Sequence, residues 1–178
     1  MIEQLEVFPS TFYKLIIDPD ACVNLLSEIE SKENRMRIIS NATETKNVNE
    51  YITDYQHPVK LEWFEKIFNQ AVVTQFDKIT LVRYWTAIYN ANGVHEKHNH
   101  RSSYYSNINY SGILYLSNLG GTHFFTPNPT SLVQVIPYES KFGTMVLFPS
   151  SIIHEVFPHD NDSNKRYIVA FNMSIDSV

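Results

Sequence analysis

Three histidines and one arginine carry the strongest chemical content of this chain. His98 and His100 stand one residue apart in Gly93-Val94-His95-Glu96-Lys97-His98-Asn99-His100, and His154 follows much later in Ser151-Ile152-Ile153-His154-Glu155-Val156. On an extended strand residues i and i+2 point to one face, so His98 and His100 can approach a single ion from one segment. Ile152, His154 and Val156 share a face for the same reason, and in a folded-over sheet that face looks across at the first pair. Three neutral imidazoles on one side of an ion leave other coordination positions open, a catalytic pattern in place of a closed structural one. In a chain with seven histidines a lone His-x-His is ordinarily a surface feature. The second segment argues otherwise, because a buried strand (144–148), a turn and then a histidine before another strand are hard to explain as surface. His57 and His159, in polar or proline-adjacent loops, carry no expected role.

Positioning such residues requires a sheet-rich frame. From residue 79 the sequence breaks into short β-branched and aromatic runs at 79–90, 110–117, 122–126, 132–136, 144–148, 152–157 and 166–174. Turn signals separate them at Asn92-Gly93, Gly120-Gly121, Pro127-Asn128-Pro129, Pro137 and 160–164. Short strands at this spacing predict a mainly β sandwich or barrel of jelly-roll type. Upstream, residues 7–17 read as a strand interrupted by Pro9. Asp18-Pro19 then caps a helix that ends near Ser31. Pro58 opens a second helix with its apolar face on Leu61, Phe64, Ile67, Phe68, Ala71 and Val72. The polar stretch 32–57 is expected to be a loop or flap, least structured at 41–47.

With 178 residues the chain is read as one domain, large enough to bury a core without staples. Residues 1–78 are expected to pack a strand and two helices on a barrel formed by 79–174. A formal net charge of -5, with no basic run longer than Lys165-Arg166, argues against a protein built around a polyanion. A nucleic-acid partner is disfavoured without being excluded. Cys22 is the only cysteine, so no intrachain disulfide forms, which suits a reducing cytosol. With neither a secretory h-region nor an apolar run of membrane-spanning length, the chain reads as soluble and cytoplasmic.

Taken in order, these motifs resemble the iron(II)- and 2-oxoglutarate-dependent oxygenases: His98-x-His100, Ser111-Gly112-Ile113-Leu114-Tyr115-Leu116, Gly120-Gly121-Thr122, Gly143 to Ser150 with His154-Glu155-Val156, and Arg166 to Asn172. Within that superfamily the sequence is similar to the prolyl-hydroxylase-like branch and to oxygenases frequent in phages and marine bacteria, for which the cytoplasm would be the host's. The resemblance spans about residues 79–174 and implies a double-stranded β-helix, or cupin-like barrel. It also implies Fe(II) held by His98 and His154 at the catalytic centre, with 2-oxoglutarate and O2 as cosubstrates, while His100, the candidate third ligand, either completes a three-histidine site, leaves that position to water or marks a site for something other than iron. Arg166 matches the residue that grips the distal carboxylate of 2-oxoglutarate, a task suited to a guanidinium fork. Tyr115 matches a hydroxyl for the same carboxylate, Tyr89 is a weaker candidate, and Val156 would form an apolar wall. The implied reaction couples decarboxylation of 2-oxoglutarate to succinate with oxidation of a C–H bond, in most such enzymes a hydroxylation.

Two departures stand out. The family has an aspartate or glutamate where this chain has His100, and the segment 102–109 is longer than usual, which predicts a lid or substrate loop. His123, after the glycine pair, is read either as a hydrogen-bonded core histidine or as a residue pointing into the pocket. A cupin-type three-histidine metalloenzyme without 2-oxoglutarate is the second reading, although it gives Arg166 no purpose. A non-catalytic jelly-roll binding module is the third. Specificity belongs to loops such as 32–57 and 102–109, so protein side chains, nucleotides and small metabolites all fit the barrel, and the oligomeric state is left open.

Overall fold

In the second half of the chain, side chains alternate between two apolar environments, and this alternation sets the architecture. A computed structural model describes residues 2–6, 10–42, 48–56, 58–91, 93–100, 108–125, 135–159 and 164–175. Eight strands follow residue 78: β5 (Ile79–Tyr89), β6 (His95–His98), β7 (Tyr110–Tyr115), β8 (Gly121–Phe125), β9 (Val135–Glu139), β10 (Thr144–Pro149), β11 (Ile153–Phe157) and β12 (Arg166–Ile175). They pair antiparallel in nested fashion, β5 with β12, β6 with β11, β7 with β10 and β8 with β9. This is one long hairpin folded over on itself, a jelly roll or double-stranded β-helix.

The folding-over yields two sheets. The smaller has the order β6-β11-β8-β9. The larger takes β10, β7, β12 and β5 and is extended at both edges by the first part of the chain. At one edge lie β1 (Ile2–Glu6) and β2 (Thr11–Ile16), and at the other β3 (Arg37–Ala42) and β4 (Val48–Thr53), giving β1-β2-β10-β7-β12-β5-β4-β3.

Period-two alternation splits the larger sheet's side chains. Ile113 and Tyr115 of β7, Val146 and Phe148 of β10, Ile168 of β12 and Ala87 and Tyr89 of β5 face the smaller sheet, where they meet Phe124 and Val156. Their neighbours Leu114, Met145, Leu147, Ile88, Val169, Phe171 and Met173 face the helices α1 (Pro19–Lys32) and α2 (Glu62–Ala71) through Cys22, Leu25, Ile29, Phe64, Ile67 and Phe68. A sheet buried on both faces reads as continuous apolar strands, as these do. Gly112, lacking a side chain, leaves room for the Phe171 ring on the helix side of the larger sheet. A Cβ there would lie 2.1 Å from Cζ of Phe171, its cross-strand partner.

Asp18 caps α1 through a 3.0 Å bond from the Ala21 N–H. For α2 the cap is supplied by tertiary structure, since Glu28 of α1 accepts from the Glu62 and Trp63 N–H groups at 2.9 and 3.0 Å. Consequently α2 starts at Glu62 and not at Pro58. The stretch expected to be a loop at 32–57 holds β3 and β4, an antiparallel pair that joins β5 through Tyr51, Ile52 and Thr53. Its apolar residues were too diluted by Asn, Ser and Glu for a period to show, and pairing with a long neighbour overrides that weak local preference. Of the segment expected to be least structured, 41–47, Asn41 and Ala42 close β3 and 43–47 lie outside the described residues, as do Pro9, 102–107, 127–129 and 160–163. No helix among the described residues is long and apolar enough to cross a membrane.

Candidate active site

His98 ends β6 and His154 sits in β11, and the two are register partners. They are therefore neighbours on one face of the smaller sheet, not residues looking across from opposite sheets as the folded-over picture supposed. His100 lies just past β6, where its N–H donates to the Ser150 carbonyl at 3.0 Å. Ring centroids stand 4.3 Å apart for His98 and His154, 4.9 Å for His100 and His154, and 5.2 Å for His98 and His100. One nitrogen from each falls within 4.8 Å of the others, a cluster that could hold a single ion once the rings close in slightly on it.

The second nitrogen of each ring is engaged. Nδ1 of His98 donates to the Glu96 carbonyl at 2.7 Å, and Nδ1 of His154 to the Ile152 carbonyl at 3.1 Å. His100 Nδ1 donates to Oδ1 of Asn172 at 2.8 Å, with Ser111 Oγ at 3.0 Å. These bonds assign the proton to Nδ1 and leave each Nε2 lone pair for a ligand. Burial pushes the pKa of all three rings down, that of His100 to about 4, with neighbouring imidazoles adding to the effect on His100 and His154. All three are thus neutral at physiological pH, the form in which imidazole binds metal.

Asn172, Ser111 and Ser150 lie inside the quoted motifs without an assigned role, yet they cluster behind His100. Ser111 Oγ donates to Asn172 Oδ1 at 2.8 Å and meets Ser150 Oγ at 2.9 Å, so a buried polar network backs His100. Alternation offered a signal, because Asn172 falls on the same face of β12 as Arg166 and Ile168, toward the interior. His95 also went unassigned. Its ring stacks on His98 at 4.1 Å, and burial followed by repulsion from His98 and His100 lowers its pKa to about 3. Trp85 packs edge-on to His100 at 5.3 Å.

Arg166 opens β12 opposite Tyr89 of β5 and is fully buried. Its Nη1 donates to the Gly121 carbonyl at 2.7 Å, and Nη2 reaches Thr122 Oγ1 at 3.4 Å, while Nε has no partner. The rings of Tyr89 and Tyr115 flank the guanidinium, with centroids 5.4 and 5.7 Å from it. Tyr115 donates its hydroxyl to Thr122 Oγ1 at 2.9 Å. Burial lowers the Arg166 pKa, opposed by the two tyrosines. Among the described residues no carboxylate pairs with it, and an unpaired interior charge costs several kcal/mol. Between the histidines and this cation lie Ile113, Phe124, Phe148, Val156 and Ile168, all buried.

His123 is neither a core residue nor a pocket residue. It is half-exposed on the outer side of β8, pairs with Glu155 at 3.0 Å and stacks on Phe157. His159, expected to do nothing, is buried with both ring nitrogens unpartnered. His57 lies outside the described residues, and so does most of the expected lid. At the lid's end, Asn109 is pinned by two hydrogen bonds to the backbone of Ile175.

No family model matches the chain, and no curated protein matches it in sequence. Solved structures do match. A Pseudomonas putida prolyl-4-hydroxylase aligns over 93% of both chains with a TM-score of 0.59 and 16% identity. HygX from Streptomyces hygroscopicus, solved with nickel and 2-oxoglutarate bound, aligns over 92% of this chain and 82% of its own, with a TM-score of 0.65 and 10% identity. This is the fold of the 2-oxoglutarate- and iron(II)-dependent oxygenases. A prolyl hydroxylase from Trichoplax adhaerens, in complex with a hypoxia-inducible-factor peptide fragment, aligns over 91% of this chain and 83% of its own, with a TM-score of 0.62 and 14% identity. At these identities the likeness to the oxygenases is one of fold, and the side chains must carry any argument about chemistry.

Proposed function

We propose that this protein is an iron(II)- and 2-oxoglutarate-dependent oxygenase acting as a hydroxylase. One observation carries the reading: a buried arginine without a carboxylate partner among the described residues shares the interior of this fold with three neutral imidazoles. An interior cation left unpaired by the protein calls for an anionic ligand, and 2-oxoglutarate is an anion with a metal-chelating end. The donor set fits the metal, since imidazole suits iron and its open positions suit oxygen chemistry.

His98, His100 and His154 would hold the metal through Nε2, with the Glu96 and Ile152 carbonyls and Asn172 fixing ring orientation. Arg166 would bind the distal carboxylate, with the Tyr115 hydroxyl beside it and Tyr89 against the other side of the guanidinium. Phe124, Phe148, Val156 and Ile113 would exclude water from the space between and so strengthen every electrostatic contact there. Iron(II), 2-oxoglutarate and dioxygen together supply the oxidising chemistry, by which the keto acid becomes succinate and a substrate C–H bond is oxidised. A peptide is one substrate class of this fold, as the Trichoplax complex illustrates, and nucleotides and small metabolites are the others the barrel could serve.

The absence of a carboxylate among the three clustered ligands favours a second reading, a three-histidine cupin-type enzyme without a cosubstrate. Anaerobic titration of the Fe(II)-loaded protein with 2-oxoglutarate separates the two. The expected result is a saturable, weak visible charge-transfer band that disappears in Arg166→Ala while metal stays bound. Metal binding without a band would transfer the site to the second reading. Failure of any metal to bind would sink both.

A further inference from the structure

The end of the smaller sheet near Arg166 carries a cleft that the proposed chemistry does not use. It has a volume of about 430 Å³ and is lined by Asn118, Gly120, Glu139, Ser140, Phe157, Pro158 and His159. Two of its polar side chains are buried without a partner. His159 is 8% exposed and neither ring nitrogen makes a hydrogen bond, and Ser140, 4% exposed, has an unbonded hydroxyl. Burying such groups unsatisfied costs roughly 1–3 kcal/mol each, and native proteins leave few of them without a reason.

A third donor stands at the rim. Asn118 accepts the Phe142 N–H on Oδ1 at 2.7 Å, which turns its carboxamide NH2 toward remaining partners. The charge behind the cleft has a definite sign. Gly120 forms part of the wall between it and Arg166, for a Cβ on Gly120 would lie 3.4 Å from Nη1 of Arg166 and 3.0 Å from the Phe157 carbonyl. Gly120 has φ +59, so glycine serves both the turn and the thinness of this wall. Among the described residues the guanidinium has no carboxylate of its own to cancel its field. Glu139 is the acidic group among the described lining residues, and it is exposed, where solvent screens it.

We propose that this cleft is a binding site for a small oxyanion, held by the Ser140 hydroxyl, a His159 N–H and the Asn118 carboxamide in the field of Arg166. A carboxylate or a phosphate supplies the acceptors that these donors lack. The site lies outside the barrel interior, behind the backbone carbonyls of Gly121 and Phe157 that hold Arg166 Nη1. It stands independently of the proposed oxygenase activity.

The test is titration of the metal-free full-length protein with inorganic phosphate and, separately, with acetate, followed by backbone amide NMR shifts at Ser140 and His159. Saturable shifts with either anion are expected, with affinity reduced about tenfold or more in Ser140→Ala and in His159→Leu, the loss of one hydrogen bond to a charged group. His159→Leu also removes an unsatisfied buried polar ring, so it should fold and melt no lower than the parent. Ser140→Ala guards against a folding failure of the other variant. The proposal is overturned if neither anion gives saturable shifts, or if binding persists at full strength in both variants. It also fails if 2-oxoglutarate with Mn(II) displaces the anion one for one, which would place it on the barrel side of Arg166.

Discussion

Three imidazoles with their Nδ1 protons committed to carbonyl or amide oxygens form a site prepared for a metal and costly without one. For His100, burial and the nearby imidazole of His98 set the pKa at about 4, against 6.5 for a free ring. A depressed histidine pKa means that the unfolded chain takes up protons which the folded chain refuses, so stability is full above about pH 6.5 and is lost as pH falls toward 4. The shift corresponds to about 3 kcal/mol for His100 alone, and His98, His154 and His95 act in the same direction. Urea titrations of the metal-free protein should therefore show the midpoint falling between these pH values, and a flat profile would contradict the buried, neutral triad. Asn172 offers a second test. Asn172→Ala should keep the chain folded by circular dichroism and weaken metal binding about 10–100-fold, the usual effect of losing a residue that orients a ligand.

Among the elements, β7 and β12 pack closely at Gly112. Gly112 lies under the Phe171 ring, and Phe171 is itself buried against Phe64 and Phe68 of α2. Gly112→Ala should cost about 1–3 kcal/mol from overpacking, measured by chemical denaturation, and an unchanged midpoint would show that Phe171 can move. The same joint matters to the site because Ser111, next to Gly112, and Asn172, next to Phe171, are cross-strand partners that hold His100. Packing on the helix side and polar order on the metal side thus meet in two adjacent residue pairs.

Across the whole molecule, the larger sheet separates two cores with different duties. The helix-side core, centred on Phe64, Phe68, Phe171 and Leu25, contributes burial and touches none of the candidate ligands. Leu25→Ala, in α1 and away from Phe171's neighbour Asn172, should lower stability by about 2–5 kcal/mol and leave the metal dissociation constant of the folded fraction unchanged, since distant sites behave additively. Calorimetric metal titration at a temperature where the variant is folded checks this, and a matching loss of affinity would show that the two cores are coupled.

Much of this was legible in the residues alone. Period-two runs separated by glycine, proline and asparagine turns are enough to predict a jelly roll, because alternation follows from strand geometry whatever the partner strand is. Spacing put His98 and His100 within reach of one ion, and Asp18-Pro19 marked the start of α1, both being local effects. Only the tertiary structure decided what depends on partners remote in sequence. It made His98 and His154 neighbours in one sheet, turned the polar stretch around β3 and β4 into paired strands, and started α2 at Glu62 through a carboxylate from α1. It also brought Ser111, Ser150 and Asn172 together behind His100, and left Arg166 without a counter-charge among the described residues. Such facts are pairings across long loops, and a sequence records the residues that can pair but not the register in which they do.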